Sequence, residues 1–201
     1  AVRADARRRV HRGRLGRRVT PAGVVIRPQR DGERDAVHEV VKSAFDDVVV
    51  ADLVDALQAD EAGRKGASIV AVATGERIVG HVQLSRSWLD APSRLVEVLV
   101  LSPLAVAPDS QGHGIGGALV RAAIAAAEGL GAPLLFLEGS PRYYPRFGFV
   151  PGGPLGFIRP SVRIPEAAFQ VIKLPGWDPW MTGQLVYSEI FWRLDAVGLR
   201  D

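Results

Sequence analysis

The alternation of apolar and polar residues along the chain predicts one domain that mixes helices and strands. Stretches in which apolar residues recur every three or four positions are predicted as helices, at 31–45, 50–60 and 114–131. Runs rich in β-branched and other apolar residues are predicted as strands, at 23–28, 95–106, 133–139, 168–174 and 183–192, with a hairpin at 67–85 that turns around residues 74–76. This order predicts an α/β domain built on a central sheet.

The long strand 95–106 contains a proline, and we expect an irregularity there. Pro103 follows Ser102 near the end of the strand. Proline has no N–H to donate to a neighbouring strand, so it is found at edges and bulges rather than inside regular sheets. The sequence therefore predicts a bulge or a locally separated strand just before the glycine-rich segment.

Composition and charge divide the chain into a basic extension, 1–22, and a folded domain, 23–194. Residues 1–20 contain eight Arg and one Asp and therefore have a net charge of +7. Since the whole chain has a net charge of +3, the other 181 residues have a net charge of −4. The basic segment lacks aromatic residues that would stack on bases, so a nucleic-acid partner is not expected. Apolar runs are too short to span a membrane, and no secretory signal is visible. With no cysteine in the chain, we expect a cytoplasmic protein without disulfides or thiolate metal sites.

The segment SQGHGIGGAL, residues 110–119, places four glycines at the start of a predicted helix. Backbone N–H groups at such a position converge on an anion, and the helix dipole favours negative charge. The segment also matches a dinucleotide fingerprint, with Glu138 about 20 residues further on as a ribose-binding acid. The glycines could alternatively serve only close packing. A phosphate loop of the Walker type is excluded, because no Lys-Ser/Thr pair follows.

Two motifs in order resemble the GNAT superfamily of N-acetyltransferases. PLAVAPDSQGHGIGGALV (103–120) is similar to its motif A, with Gln111, Gly114 and Gly116 at the defining positions, and YYPRFGF (143–149) is similar to its second signature. The resemblance covers about residues 24–192. It implies a mixed, mostly antiparallel sheet of about seven strands, splayed where acyl-CoA binds and flanked by helices.

The resemblance also implies the cofactor, acetyl-CoA, and its binding residues. They are Leu104, Ala105 and Val106 for the thioester and pantetheine, the loop residues Gln111, Gly112, His113, Gly114, Ile115, Gly116 and Gly117 for the pyrophosphate, and Ser140 and Tyr144. Position 113 is commonly basic in the superfamily, so His113 implies weaker affinity. Tyr144 is the expected catalytic acid, because a phenol that is protonated at neutral pH can protonate the departing thiolate.

The general base and the acceptor are less defined by the sequence. Glu97 is the one acid on the strand before motif A and is the expected base, although the usual position near Val100 is apolar. His81 is interpreted as a residue on a polar strand face. The acceptor is expected to be a small-molecule or peptide amine, bound by loops around 28–33, 86–94 and 150–166, and not strongly cationic because no acidic cluster is visible. No metal is expected, and a homodimer is an option. A non-catalytic acyl-CoA-binding module is the alternative function.

Overall fold

The computed structural model describes residues 18–19, 23–45 and 47–198. The strands are β1 (Arg18–Val19), β2 (Val25–Pro28), β3 (Ala67–Val72), β4 (Ile78–Asp90), β5 (Leu95–Val106), β6 (Leu134–Glu138), β7 (Val150–Pro151), β8 (Phe157–Ile158), β9 (Phe169–Lys173) and β10 (Gly183–Val186). The helices are α1 (Arg34–Phe45), α2 (Val48–Ala59), α3 (Glu61–Arg64), α4 (Ile115–Gly129) and α5 (Glu189–Arg193). Within this part of the chain, none of the helices has the length and apolar character needed to cross a membrane.

The ten strands form one mixed sheet. Its main path runs in the order β1-β2-β3-β4-β5-β6-β9-β7, and β10 pairs with the far end of β4 and with β8. The pairs β5–β6 and β8–β10 are parallel, and the other pairs along the sheet are antiparallel. This confirms the expected mixed, mostly antiparallel sheet. The number of strands exceeds seven because β1, β7 and β8 are two-residue strands that the sequence pattern does not reveal.

A bulge interrupts the pairing of β4 and β5 at the predicted place. Leu84 pairs with Leu101 and Val82 pairs with Leu104, so Ser102 and Pro103 together lie opposite one residue, Gln83. On the other edge of β5, pairing with β6 is confined to Leu99 and Val100. The last residues of β5 therefore separate from β6, and an opening forms in the middle of the sheet.

Helices cover both faces of the sheet. Helix α4 packs one apolar side onto a core that includes Leu119, Val120 and Ala123, all of which are fully buried. Helices α1 and α2 cover the opposite face through Val37, Val41, Val54 and Leu57, and a T-shaped contact of aromatic rings extends this second layer under β6. Burying a Leu or Val side chain contributes about 1.5–3 kcal/mol, so these two layers fix α2 and α4 on either side of the opening.

Four segments differ from the sequence prediction. Strand β4 continues to Asp90, where a loop was predicted, because its second half pairs with β5 and β10. The predicted strand 183–192 ends at Val186, and after Tyr187 and Ser188 the chain forms helix α5, which buries Ile190 and Phe191. At the N-terminus, β1 pairs with β2, so the sheet begins inside the segment predicted as an extension, while residues 1–17 and 20–22 lie outside the described residues. The domain also continues past residue 194, since Val197 is buried.

Candidate active site

The opening in the sheet exposes one backbone edge of β5. The other edge is occupied by β4, through the pairs Val82–Leu104, His81–Ala105 and Gly80–Val106. Because β6 pairs with β5 only at Leu99 and Val100, the backbone groups of 104–106 that point toward β6 have no strand partner. One of them, the Val106 carbonyl, accepts a hydrogen bond from Gln111 Nε2 at 3.1 Å. An extended ligand could pair with this edge as a short additional strand.

The glycine loop that follows β5 presents free backbone donors at the N-terminus of α4. Gly112 and Gly114 both have φ +77°, a left-handed conformation that glycine adopts without steric cost, and a Cβ at either position would face open space. In the described chain, the N–H groups of residues 112–117 donate to no protein acceptor. Together with the helix dipole, they form a site for an anion such as a phosphate.

A cavity of about 580 Å³, here called the loop cavity, lies between this loop and the segment 143–147. Its lining residues are Leu104, Val106, Ser110, Gln111, Gly112, Gly114, Ile115, Gly116, Gly117, Arg121, Tyr143, Arg146 and Phe147. Two guanidinium groups lie beside its donors: Arg121 stacks over Phe147, and Arg146 stacks over Tyr143 at 4.0 Å from the ring centre. Sequence reasoning missed both arginines, because arginine is abundant throughout this chain.

Tyr144 lies in the turn that follows β6, and its ring is held by close packing. It packs edge-on against Phe149 and Tyr143, and its Cε2 lies 2.2 Å from where a Cβ on Gly139 would be. Only a residue without a side chain at 139 therefore admits the ring in this position. Burial raises the pKa of Tyr144 to about 12. The phenol is thus protonated at neutral pH, and it donates to no acceptor among the described residues.

A second cavity, of about 780 Å³, lies on the α2 side of the opening and is here called the carboxylate cavity. It shares Leu104 and Tyr143 with the loop cavity and also contains Tyr144. Its charged lining residues are Asp47, Glu138 and Asp195, and no Lys or Arg is among the described residues that line it. These acids are far apart in sequence. The sequence did not reveal that these three acids share a cavity, and none of the predicted acceptor loops 28–33, 86–94 and 150–166 contributes to it.

Glu138 is held at the end of β6 by two donors. Tyr187 Oη donates to its Oε1 at 2.8 Å, and Gly198 N donates to its Oε2 at 3.2 Å. Burial raises the pKa of Glu138, while these hydrogen bonds and the charge of Arg163 oppose the rise. Glu138 faces the carboxylate cavity and not the glycine loop, so it does not stand where a ribose-binding acid would.

The structure does not bring Glu97 to the opening. This residue pairs with Trp88 on β4, and its carboxylate lies 3.8 Å from Arg86 on the surface. Seven positions of strand separate it from Leu104, a distance of about 20 Å. Val100, at the position where a base was expected, is buried in the core.

His81 is also outside both cavities. It is fully buried, and its Nε2 lies 2.8 Å from Ser68 Oγ. Burial lowers the pKa of His81 to about 3, so the imidazole is neutral at neutral pH. Its side chain therefore has a structural position between β3 and β4.

The remaining predicted residues occupy different positions around the opening. Ser140 lines the carboxylate cavity, and its hydroxyl accepts a hydrogen bond from Arg142 N at 3.3 Å, as in a cap of the following turn. His113 is exposed and its Nδ1 lies 3.4 Å from the Ser110 carbonyl, outside the lining of the loop cavity. The side chain of Ala105 is buried on the α1 side, so only its backbone faces the opening.

The model of the acetyltransferase (GNAT) family matches residues 34–149, which contain β5, the glycine loop, α4 and Tyr144. The chain belongs to the GNAT acetyltransferase family. The uncharacterized N-acetyltransferase YjhQ of Escherichia coli K12 is 37% identical over 131 residues, which are 65% of this chain and 71% of YjhQ. The predicted family and the acyltransferase class are therefore confirmed.

Two solved GNAT structures extend the likeness over most of the domain. The GNAT family N-acetyltransferase YhbS from Escherichia coli, crystallised in complex with CoA, is 25% identical with a TM-score of 0.75, covering 84% of this chain and 91% of its own. A GNAT family acetyltransferase from Brucella melitensis, crystallised in complex with acetyl-CoA, is 29% identical with a TM-score of 0.67, covering 84% and 97%. The predicted α/β fold is thus confirmed well beyond the two motifs.

Proposed function

We propose that this protein is an N-acetyltransferase that moves the acetyl group of acetyl-CoA directly onto an amine. The observation that carries this proposal is the meeting of two cavities at Leu104 and Tyr143, one lined by free backbone donors and the other by carboxylates. A cofactor in the first cavity would present its thioester to an amine in the second. The CoA and acetyl-CoA complexes of the two solved relatives support the choice of cofactor.

The loop cavity would bind acetyl-CoA by its pyrophosphate and its pantetheine. The N–H groups of residues 112–117 would hold the pyrophosphate, with Arg121 and Arg146 adding positive charge that His113, outside the lining, does not supply. The free edge of residues 104–106 would bond the amide groups of the pantetheine arm. The thioester would then lie at the opening between β5 and β6, beside Leu104 and Tyr143, which line both cavities.

Tyr144 would serve as the acid in the transfer step. The amine nitrogen attacks the thioester carbonyl carbon, the C–S bond breaks, and the thiolate of CoA takes the phenolic proton. The phenolate then takes the extra proton of the new amide nitrogen, which regenerates the phenol. A proton donor at this position typically contributes about 10²- to 10⁴-fold in rate. Because burial raises the pKa of Tyr144 to about 12, the phenolic proton is available at neutral pH.

The acceptor is proposed to be a small molecule or a peptide end with a primary amine. The carboxylate cavity, at about 780 Å³, has room for a compact acceptor or the first residues of a peptide. The absence of cysteine from all 201 residues supports a cytoplasmic location. Homodimer formation stays a prediction, for which light scattering of the purified protein is the direct measurement.

The first experiment is a thermal melt with acetyl-CoA, CoA or NAD, followed by an acetylation assay. A ligand at 100 times its Kd adds about 2.7 kcal/mol, which raises the Tm of a domain of this size by about 5–10 °C. We expect this shift with acetyl-CoA and CoA. Since the chain has no cysteine, a thiol reagent reports the CoA released during transfer without background from the protein.

Each outcome of that experiment has a defined meaning. A shift with NAD alone would contradict the cofactor assignment. A shift with acetyl-CoA but no thiol release with any amine, including spermidine, benzylamine and a lysine-bearing peptide, would favour the non-catalytic acyl-CoA-binding module. Thiol release that Tyr144→Phe reduces at an unchanged thermal shift would support transfer with Tyr144 as the acid.

A further inference from the structure

One of the acids that line the carboxylate cavity, Glu138, is anchored by two hydrogen-bond donors. Glu138 is the last residue of β6, and its neighbour Gly139 packs directly against the ring of Tyr144. Glu138 and Tyr144 are thus linked through Gly139, and both residues line the same cavity. Asp47 differs, because its side chain caps α2 by accepting from Val49 N at 2.8 Å. Asp195 differs as well, because it forms an ion pair with Arg163 at 3.3 Å.

The anchors of Glu138 fix its position without cancelling its charge. Tyr187 Oη and Gly198 N each donate to a different oxygen, so each oxygen keeps further lone-pair capacity for a ligand. Neither donor is a cation. The carboxylate can therefore still accept a hydrogen bond, or a proton, from a group that arrives in the cavity.

We propose that Glu138 binds the ammonium group of the acceptor and takes its proton before transfer. The inference rests on the proposed function and adds the base that the site otherwise lacks, since Glu97 lies about 20 Å from Leu104 along β5. It also specifies the acceptor class: a compact cationic amine, received by a cavity whose charged lining residues are all acidic.

The protons balance over the reaction. The acceptor arrives as an ammonium ion and gives one proton to the Glu138 carboxylate. The free amine attacks the thioester carbon, the C–S bond breaks, and the thiolate takes the Tyr144 proton. The new amide nitrogen gives its extra proton to the Tyr144 phenolate. The proton on Glu138 passes to water, so that one amide, one CoA thiol and one free proton result.

The charged and titratable groups around Glu138 determine the pH dependence. Tyr187, in the segment after β10, and Arg163, in the loop before β9, interact with Glu138 directly. The other titratable residues share the carboxylate cavity with it: Tyr143 and Tyr144 in the turn after β6, Asp195 in the segment after α5, and Asp47 at the start of α2. Burial raises the pKa of Glu138, so activity should fall on the acid side at a pH above the ordinary carboxyl range. The hydrogen bond from Tyr187 lowers this pKa, so removing it should move the fall to still higher pH.

The test compares Glu138→Gln, Tyr187→Phe and Glu97→Gln with the wild type, with the exposed Glu128→Gln as the matched control for a lost charge. Spermidine and benzylamine serve as acceptors, and thiol release is followed from pH 5 to 9. For Glu138→Gln we expect kcat/KM for the amine to fall by about 10²- to 10⁴-fold with the acid limb abolished. The thermal shift with CoA should stay unchanged. For Tyr187→Phe the acid limb should move to higher pH while the plateau is kept.

Every other result counts against the inference in a distinguishable way. A Glu138→Gln enzyme with wild-type activity and pH profile overturns the role of Glu138 alone, and loss of activity in Glu97→Gln instead would assign the base there. If Glu138→Gln loses the CoA shift as well, Glu138 has a structural role, and an unmoved acid limb in Tyr187→Phe leads to the same conclusion. A wild-type enzyme that acetylates no amine overturns the proposed function itself.

Discussion

Replacing Gly139 with alanine should displace Tyr144 and slow transfer without weakening cofactor binding. The new Cβ would lie 2.2 Å from Cε2, 2.8 Å from Cδ2 and 3.2 Å from Cζ of the tyrosine ring. Carbon atoms in normal contact are about 3.5–4 Å apart, so the ring must move by about 1.5 Å. A catalytic group misplaced by about 1 Å can cost about 10²-fold. We therefore expect kcat to fall by about 10²-fold and the KM for acetyl-CoA to stay within twofold.

Steady-state thiol release measures this prediction, and a double-mutant cycle identifies its cause. If Gly139→Ala acts through Tyr144, adding it to Tyr144→Phe should cause no further loss. Gly129→Ala is the matched control, since a methyl group there contacts nothing outside its own helix, and its kcat should equal that of the wild type. A Gly139→Ala enzyme with wild-type kcat, or a loss that adds fully to that of Tyr144→Phe, would refute the positional argument.

Three further changes test other parts of the structure. Arg121→Ala should raise the KM for acetyl-CoA by about 10- to 10²-fold with kcat within twofold, because a hydrogen bond to a charged group is worth about 1.5–3 kcal/mol. Arg142→Ala, outside the loop cavity, should leave KM unchanged. Burial lowers the pKa of His81 to about 3 in the folded chain. Between about pH 3 and pH 6.5 the unfolded chain therefore binds a proton on His81 that the folded chain does not bind. Its share of the stability is complete above pH 6.5 and is lost as the pH falls toward 3, by at most about 1.4 kcal/mol per pH unit, and urea melts of the wild type should show this slope in excess of His81→Gln. Gly66→Ala would place a Cβ 1.8 Å from the Leu84 carbonyl oxygen, so the free energy of unfolding should drop by about 1–3 kcal/mol, and an unchanged Tm would contradict the packing described.

Features that depend only on residues close together in the sequence could be predicted from the sequence. The glycine loop, helix α4 and the bulge at Pro103 follow from residue types within a few positions of each other, and the structure has all three where the pattern predicts them. The boundaries of β5 are those predicted, because the strand is mostly apolar and ends at a proline-containing turn. A motif whose residues are neighbours in sequence is therefore visible without the fold.

Features that depend on distant segments could not be predicted in this way. One cavity is lined by Asp47, Glu138 and Asp195, because the start of α2, the end of β6 and the segment after α5 lie close together in the fold. The pattern of residues along the sequence does not show which distant segments become neighbours. The same limit explains Glu97, which was chosen because it shares a strand with the site, although strand position alone does not place it near the opening. Tyr187 was assigned to a strand because aromatic residues favour sheets, but the strand ends at Val186, and the Tyr187 ring packs against Phe191 of α5.

Because of the bulge at Ser102 and Pro103, the number of residues in β5 determines which of its side chains face the loop cavity. Before the bulge, Leu99 and Leu101 face α4, while after it Leu104 faces α4, so the strand changes phase by one residue along its course. Deleting either bulge residue would restore one phase throughout and turn Leu104 and Val106 away from the loop cavity. A one-residue deletion, which a surface loop absorbs, would here reverse which side of the strand the cofactor meets. The one extra residue of the bulge therefore decides which side of the last residues of β5 faces α4 and the loop cavity.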